Sequence, residues 1–519
     1  MPRYTPLRPL PFRMFSGLAW LFRSPRQRRY LLPTIIALII IYTYTNIDIR
    51  IPSSRPASRE NIRAESGGYQ WPGWPEQQVG RQRASWGALR QVGAKAKIKE
   101  NLWPDKKYLI AFSLSGWNNQ VIDLLNLIHL AVKSNRIPVV TPFYPYFAHY
   151  DAVRTNDLPF GRIFDLKRLS IALGDRPIVE AHELKQFWRM DKRHAAVIYD
   201  GEVEQAGVTN GSRIPPEDWG PKDEDLGCWS FYGNFGGEGA APMDRVALNL
   251  IYTPLPSTLF PGGTNTFPCS FPAAAKLLRK PHTSIPSDSR TTLDQYPALV
   301  PPSILPDDHL ACVDSLYWLQ EEPTVTDLHG EWHKGIGAWA SVGRFTRFRE
   351  ELHELADAAL GELFGLKEGD EIPPFIGLHI RRGDFASYWL SLTPRHYAYL
   401  VQSVRQSIFE EHGVKVTRVV VSTDEKDASW LAELRSFGWQ LTQDFVAWKA
   451  TAADDEWLPL VLDSVILSRG IGFVGPASST MSILSYLRVK DWNHGVSKFI
   501  FAHDKVPDGW SWSWDLGNA

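Results

Sequence analysis

Residues 373–385 read Pro373-Pro374-Phe375-Ile376-Gly377-Leu378-His379-Ile380-Arg381-Arg382-Gly383-Asp384-Phe385. The apolar run 375–380 has the length and composition of a buried parallel strand. Two arginines, a glycine and an aspartate follow at once, so charge gathers where that strand ends. Ligands of open α/β sheets bind at the carboxyl ends of strands. Paired guanidinium N–H groups there grip a phosphate or pyrophosphate in a way lysine cannot copy. The plainer reading is a strand followed by a solvated loop whose arginine and aspartate pair with each other.

The chain downstream favours the first reading. Thr393-Pro394 opens an amphipathic helix over 395–411, and the β-branched strand 416–424 ends in Ser422-Thr423-Asp424. A helix over 428–436, a short strand at 439–441 and a helix over 458–468 come next. Strand 471–475 then runs into Pro476-Ala477-Ser478-Ser479-Thr480-Met481-Ser482 and a last helix. This alternation predicts a doubly wound parallel sheet. Ser478, Ser479 and Thr480 stand at a helix N-terminus, which attracts anions through its dipole and open N–H groups. A plain N-cap would need one of those hydroxyls.

A similar unit lies upstream. Strand 107–112 leads through Ser113-Leu114-Ser115-Gly116-Trp117-Asn118-Asn119-Gln120 into a helix over 121–133 and a strand over 137–140. Gly116 is expected to give the turn its freedom, with the amide side chains waiting at the helix entrance. Residues 141–345 read poorly apart from a strand at 195–199 and long Pro/Gly loops. Residues 332–364 turn helical, with Phe345, Phe348, Leu352, Leu355, Ala356 and Leu360 on one side.

His379-x-Arg381-Arg382-Gly383-Asp384, Ser422-Thr423-Asp424 and Val474-Gly475-x-x-Ser478-Ser479-Thr480-Met481-Ser482 together resemble the three signatures of a fucosyltransferase superfamily. It includes the protein O-fucosyltransferases and the α1,6-fucosyltransferases. Gly116-x-x-Asn119-Gln120 is similar to the turn that opens their first domain. The resemblance covers roughly 108–140 and 373–492 and cannot be traced through 143–370. It implies an α/β, GT-B-like fold: two Rossmann-like domains facing a cleft, with GDP-fucose as donor and no metal or other cofactor. Arg381 then matches the family's essential position and pairs with the β-phosphate. Arg382 adds a second contact or a structural ion pair. Asp384 orients sugar or nucleoside, or fixes Arg381. His379 and Gly383 belong to the same donor-binding strand end. Asn119 faces the donor phosphates or the acceptor, Asp424 reads base or ribose, and Ser478, Ser479 and Thr480 hold the diphosphate. Some relatives carry glutamate where this chain has Ser115, so the resemblance leaves the catalytic base unassigned.

Composition bounds the rest. A chain of 519 residues with 44% hydrophobic and 22% charged residues holds two ordinary globular domains. Net charge −1 offers no basic field for nucleic acid. Three cysteines, Cys228, Cys269 and Cys312, allow one disulfide and show no metal-ligand spacing. That is sparser than in secreted animal members of the family. Asp223-Glu224-Asp225 has the outline of a metal motif, but it sits in a polar, Pro- and Lys-rich run rather than after an apolar strand. Asn210-Gly211-Ser212 is a glycosylation sequon.

Residues 1–29 carry seven arginines and no acid, and residues 30–47 are 18 uncharged, largely apolar positions. This pattern predicts an uncleaved membrane anchor with its basic tail in the cytosol, the plainer readings being a buried helix or an Arg-rich mitochondrial presequence. The domains expected are thus 1–29 tail, 30–47 transmembrane anchor, 48–105 stem, 106–370 N-terminal acceptor domain and 371–519 C-terminal donor domain. The implied function is inverting transfer of fucose to a protein or glycan hydroxyl in the Golgi or endoplasmic reticulum. The alternatives are an anchored binding protein that has lost catalysis, or a glycosyltransferase using another nucleotide sugar.

Overall fold

The computed structural model describes residues 87–112, 116–144, 157–185, 224–231, 248–256, 259, 270–280, 304–321, 337–367, 369–383, 385, 392–445 and 457–515. All belong to one compact unit, Ser66–Ala519. The anchor, the tail, strand 195–199, the sequon, Ser115, Asp223, Cys269 and Asp384 lie outside the described residues. Among the described residues no helix is long and apolar enough to cross a membrane.

Two parallel sheets carry the fold. The first has six strands in the order β3-β2-β1-β6-β4-β5. They are β1 (Tyr108–Ala111), β2 (Ile137–Val140), β3 (Val179–Glu180), β4 (Glu224–Ser230), β5 (Leu248–Pro254) and β6 (Leu310–Val313). The second has five in the order β11-β10-β7-β8-β9. They are β7 (Ile376–Ile380), β8 (Val419–Thr423), β9 (Gln440–Leu441), β10 (Gly472–Pro476) and β11 (Val496–Ile500). Every strand pair described in both sheets is parallel. This is the α/β class expected, and it follows from short, fully buried apolar strands separated by helices.

The order of strands decides where a ligand can sit. From β7 the chain builds outward through β8 to β9, then returns to place β10 on the other side of β7. From β1 it builds through β2 to β3, and β6 later takes the opposite flank of β1. Each reversal opens a crevice at the strands' carboxyl ends. The ends of β1, β7, β8 and β10 are the ones that carry the sequence signatures.

Helix α1 (Trp117–Ser134) covers the first sheet. It stops at Asn135, left-handed at φ 57°, whose N–H reaches the carbonyls of Ala131 and Val132. Buried Asp123 on α1 accepts the Ser315 hydroxyl at 2.8 Å and the Leu316 N–H at 2.6 Å, tying the helix to the chain after β6. One apolar core runs from Leu124 and Ile128 of α1 through Leu355 and Leu360 to Val461, Val465, Ile483 and Leu484. Leu355 and Leu360 lie on α2 (Glu350–Phe364). The last four lie on α5 (Trp457–Leu467) and α6 (Thr480–Asn493), which follow α3 (Pro394–His412) and α4 (Ala428–Ser436) in the second half. Burial of a shared core therefore joins the two halves.

Three expectations need correction. The stem reaches less far than 105: Ala88, Ile98 and Leu102 are buried against the first sheet, and the Tyr108 hydroxyl donates to the Ala88 carbonyl at 2.6 Å. Glu224 begins β4 instead of lying in a polar loop. It pairs with buried Lys185 at 3.1 Å and accepts the Ile98 N–H at 2.9 Å. Residues 332–364 are not one helix either. The described part has a turn at Ala338–Ser341, a 3-10 turn at Gly343–Phe345 and helix α2 (Glu350–Phe364). Between them the backbone pairs sideways, since Asp165 N–H donates to Arg347 and Arg349 N–H to Ile163. Phe345 is consequently 37% exposed while Phe348 is buried.

Cys228 and Cys312 are register partners on β4 and β6 and form a disulfide that spans 84 residues of sequence. Cys269, outside the described residues, is left over. Closing so long a loop restricts the unfolded chain. Replacing both cysteines with alanine should lower the unfolding free energy by about 4.5 kcal/mol. A urea titration reads this directly, and an unchanged midpoint would show that the cross-link contributes nothing.

Candidate donor site

His379, the fourth residue of β7, is buried, and its Nδ1 lies 2.8 Å from the Ser482 hydroxyl. Burial, helped by Arg381, holds its pKa down to about 3. The imidazole is therefore neutral at physiological pH and locks β7 to helix α6 (Thr480–Asn493) rather than carrying charge.

Arg381 and Arg382 leave the end of β7, where Ile380 is in register with Thr423 of β8. The two acids after β8 thus fall opposite the two arginines. Arg381 Nη1 forms an ion pair with Asp424 Oδ2. Asp424 Oδ1 accepts the Arg382 N–H at 2.6 Å. Arg382 itself pairs with Glu425 and stacks 4.3 Å from the Trp430 ring, so it takes the structural ion-pair role. The Phe385 ring lies 5.0 Å from the Arg381 guanidinium carbon. Gly383 has φ +21°, and a Cβ there would meet Asp424 Oδ2 at 2.6 Å. Only glycine lets the turn close onto that carboxylate.

Burial raises the Glu425 pKa, but N–H bonds from Asp427 (2.8 Å) and Lys426 (2.7 Å), with Arg382, outweigh it and hold the group below the usual carboxylate range. Glu425 escaped the sequence reading. Its only signal is that it stands as far past β8 as Arg382 stands past β7, which requires the strand register.

β10 delivers the other wall. Ser479 is the N-cap of α6, yet its side chain makes no capping bond, so the plain N-cap reading does not hold. Ser478 is exposed, and Ser479 and Thr480 are half-buried at the helix mouth. The Thr480 hydroxyl donates to Asn119 Oδ1 at 2.7 Å. That bond joins the turn of the second sheet to the entrance of α1 on the first, so two sequence motifs 361 residues apart meet. Of the neighbouring amides, Gln120 is structural, bonding both N–H (2.9 Å) and carbonyl (2.7 Å) of Tyr144. Gly116 has an ordinary φ of −59°, so the turn does not need glycine's freedom there.

Below the end of β8, the Ser422 hydroxyl donates to Asp463 Oδ2 at 2.6 Å. Asp463 belongs to helix α5 (Trp457–Leu467), and its Oδ1 is buried without a hydrogen-bond partner. Burial pushes its pKa up to about 7, against hydrogen bonds from Ser422 and Thr442. No group of three or more His, Cys, Asp or Glu able to hold a metal occurs among the described residues.

The chain's residues 108–486 match the model of the family described as GDP-fucose protein O-fucosyltransferase. The chain belongs to that family. Its members are fucosyltransferases using GDP-fucose, and the three signatures all fall inside the matched span. Among curated proteins no sequence is significantly similar to the chain. Among solved structures, POFUT1 in complex with GDP-fucose is 14% identical, covering 76% of this chain and 98% of that one at a TM-score of 0.42. The fucosyltransferase NodZ from Bradyrhizobium is 14% identical over 74% and 94%, TM-score 0.33. A variant of Arabidopsis thaliana FUT1 in complex with GDP is 12% identical over 76% and 71%, TM-score 0.29.

The Asp463 carboxyl gives a pH test of the support beneath β8. Its folded pKa lies above the unfolded value near 4. The folded state therefore binds more protons between about pH 4 and pH 7, and this group's contribution falls as pH rises through that window. Asp463→Asn removes the titration. The variant's melting temperature should decline less than the native one between pH 5 and pH 8. Parallel curves would show that Asp463 is ionised throughout.

Proposed function

We propose that this chain is an inverting, GT-B-type glycosyltransferase that moves fucose from GDP-fucose to a protein or glycan hydroxyl. The observation that carries the reading is Arg381, held by Asp424 at the carboxyl end of β7, with the N-terminus of α6 opening after the neighbouring strand β10. In the reaction the bond from the anomeric carbon to the diphosphate oxygen breaks, and its electron pair stays on the diphosphate. The acceptor oxygen attacks the opposite face and loses its proton to a base. Arg381 meets the growing charge on the β-phosphate, with Ser478, Ser479 and Thr480 at the helix mouth. Asp424 aims the guanidinium, which has five N–H donors to divide between carboxylate and phosphate. Asp384 adds a contact to sugar or nucleoside, and Asn119 faces the phosphates or the acceptor.

The seven arginines before the apolar span support a type II topology in the Golgi or endoplasmic reticulum, with the catalytic head in the lumen. The buried Cys228–Cys312 disulfide supports the same oxidising compartment. Ser115, in place of the glutamate of some relatives, favours a second reading: a protein that binds the donor without transferring it. Fucosyl transfer and donor hydrolysis by the purified protein separate the two.

Arg381→Ala should lower kcat/KM by about 100-fold, close to 3 kcal/mol of transition-state stabilisation. Arg381→Lys should restore little, because a point charge lacks the planar fork. If Arg381 merely braces Asp424, Asp424→Ala would reproduce its effect and both variants would melt early. A folded Arg381→Ala enzyme of near-normal turnover removes the arginine from the mechanism.

The guanidiniums and the helix terminus supply the positive charge, so EDTA should leave turnover nearly unchanged. Activity lost to chelator and restored by manganese would contradict this.

A further inference from the structure

The chain after β6 brings a carboxylate to the carboxyl edge of the first sheet. Val313, the last residue of β6, is in register with Ala111 of β1 and with Trp229 of β4. Asp314 therefore leaves the sheet between the ends of those two strands. It is half-buried. Its Oδ2 accepts the Ser230 hydroxyl at 2.7 Å and its Oδ1 the Phe231 N–H at 2.6 Å. Its own N–H donates to the Trp229 carbonyl at 3.1 Å. Backbone and side chain are thus both fixed. Ser230 and Phe231 are neutral donors, which aim a carboxylate without cancelling its charge. A carboxylate has about four lone-pair sites, so two such bonds do not exhaust it.

A short path of bonds locates Asp314 relative to the start of α6. Asp123 on α1 accepts the Ser315 hydroxyl and the Leu316 N–H, so the residue next to Asp314 is tied to that helix. Asn119 lies one helical turn earlier on α1, about 6 Å along the axis. It accepts the Thr480 hydroxyl at the start of α6. The carboxyl ends of β1 and β6 therefore meet the carboxyl end of β10 at that bond. Other carboxylates nearby are committed. Asp123 is buried with one oxygen on each of its two donors, and Asp424 and Glu425 are ion-paired with Arg381 and Arg382. Asp314 stands on the first-sheet side and Arg381 on the second-sheet side.

We propose that Asp314 is the catalytic base. The assignment rests on the fucosyl transfer proposed above and supplies the proton acceptor that reaction requires. The acceptor oxygen bonds to the anomeric carbon while its proton passes to a carboxylate oxygen of Asp314. The bond from that carbon to the diphosphate oxygen breaks, and its electron pair leaves with the diphosphate toward Arg381. Inverting displacement places the base and the leaving group on opposite faces of the sugar. A base from one sheet and an arginine from the other meet that requirement.

The test is GDP release from GDP-fucose by the full-length chain in detergent, with water as the acceptor. Calorimetric GDP binding and the melting temperature are read on the same preparations. Asp314→Asn keeps the shape of the side chain and can still bond Ser230 and Phe231. It should fold and bind GDP like the native chain, while kcat falls about 100-fold. In Asp314→Ala, sodium azide should restore GDP release and yield fucosyl azide, because azide attacks without giving up a proton. If the alanine variant does not fold, the asparagine variant decides. Near-native turnover in Asp314→Asn overturns the assignment. So does a loss of GDP affinity and melting temperature in step with turnover, or a folded Asp314→Ala that azide leaves inactive, since Asp314 would then only brace the strand ends. A native chain that binds GDP but releases none from GDP-fucose overturns the transfer itself, and the base with it.

Discussion

The proposed donor crevice depends on one carboxylate. Asp424 holds the Arg381 guanidinium with one oxygen and the Arg382 N–H with the other. The turn after β7 is thereby fixed to the end of β8. Both side chains remain partly exposed, 22% and 30%, so the pair adds about 1 kcal/mol at most to stability. Its importance is positional. A guanidinium on a long, flexible stem is aimed before any phosphate arrives, which lowers the ordering cost of binding. Gly383 is required because a side chain there would occupy the space of that same carboxylate.

The second requirement is that the two sheets meet. The Thr480–Asn119 bond closes the crevice between motifs of different sheets, over a core that both halves share. Neutral His379, bonded to Ser482, sets α6 against β7 from below. The start of α6 and the strand that carries Arg381 are therefore held together.

Local chemistry was readable wherever a feature is written in consecutive residues. Strands 375–380 and 471–475 announced themselves by buried apolar runs, and Ser478-Ser479-Thr480 by clustered hydroxyls before a helix. What depends on pairing was not. Glu425 became visible as the partner of Arg382 only with the register of β7 and β8, and Asp463 only with α5 packed under Ser422. β6 is a short strand whose neighbours, β1 and β4, are distant in sequence, and β11 is a half-buried edge strand with no continuous apolar run. The 3-10 turn at Gly343–Phe345 and the extended link to α2 arise from lateral bonds to 163–165, a tertiary override of helical periodicity. Gly116 shows the opposite error, a glycine read as necessary where the backbone angles are ones other residues adopt.

The crevice accounts for a diphosphate more directly than for a base, since arginine and helix N–H groups grip phosphate whatever nucleoside carries it. Membership of the GDP-fucose protein O-fucosyltransferase family supplies the base, and nucleotide selectivity is where that assignment meets the molecule. Calorimetric titration of the full-length chain with GDP, UDP and CDP tests it most directly. The account predicts saturable, one-to-one binding of GDP at least tenfold tighter than of either pyrimidine nucleotide. Tighter binding of UDP or CDP, or heat from none of the three, would contradict it.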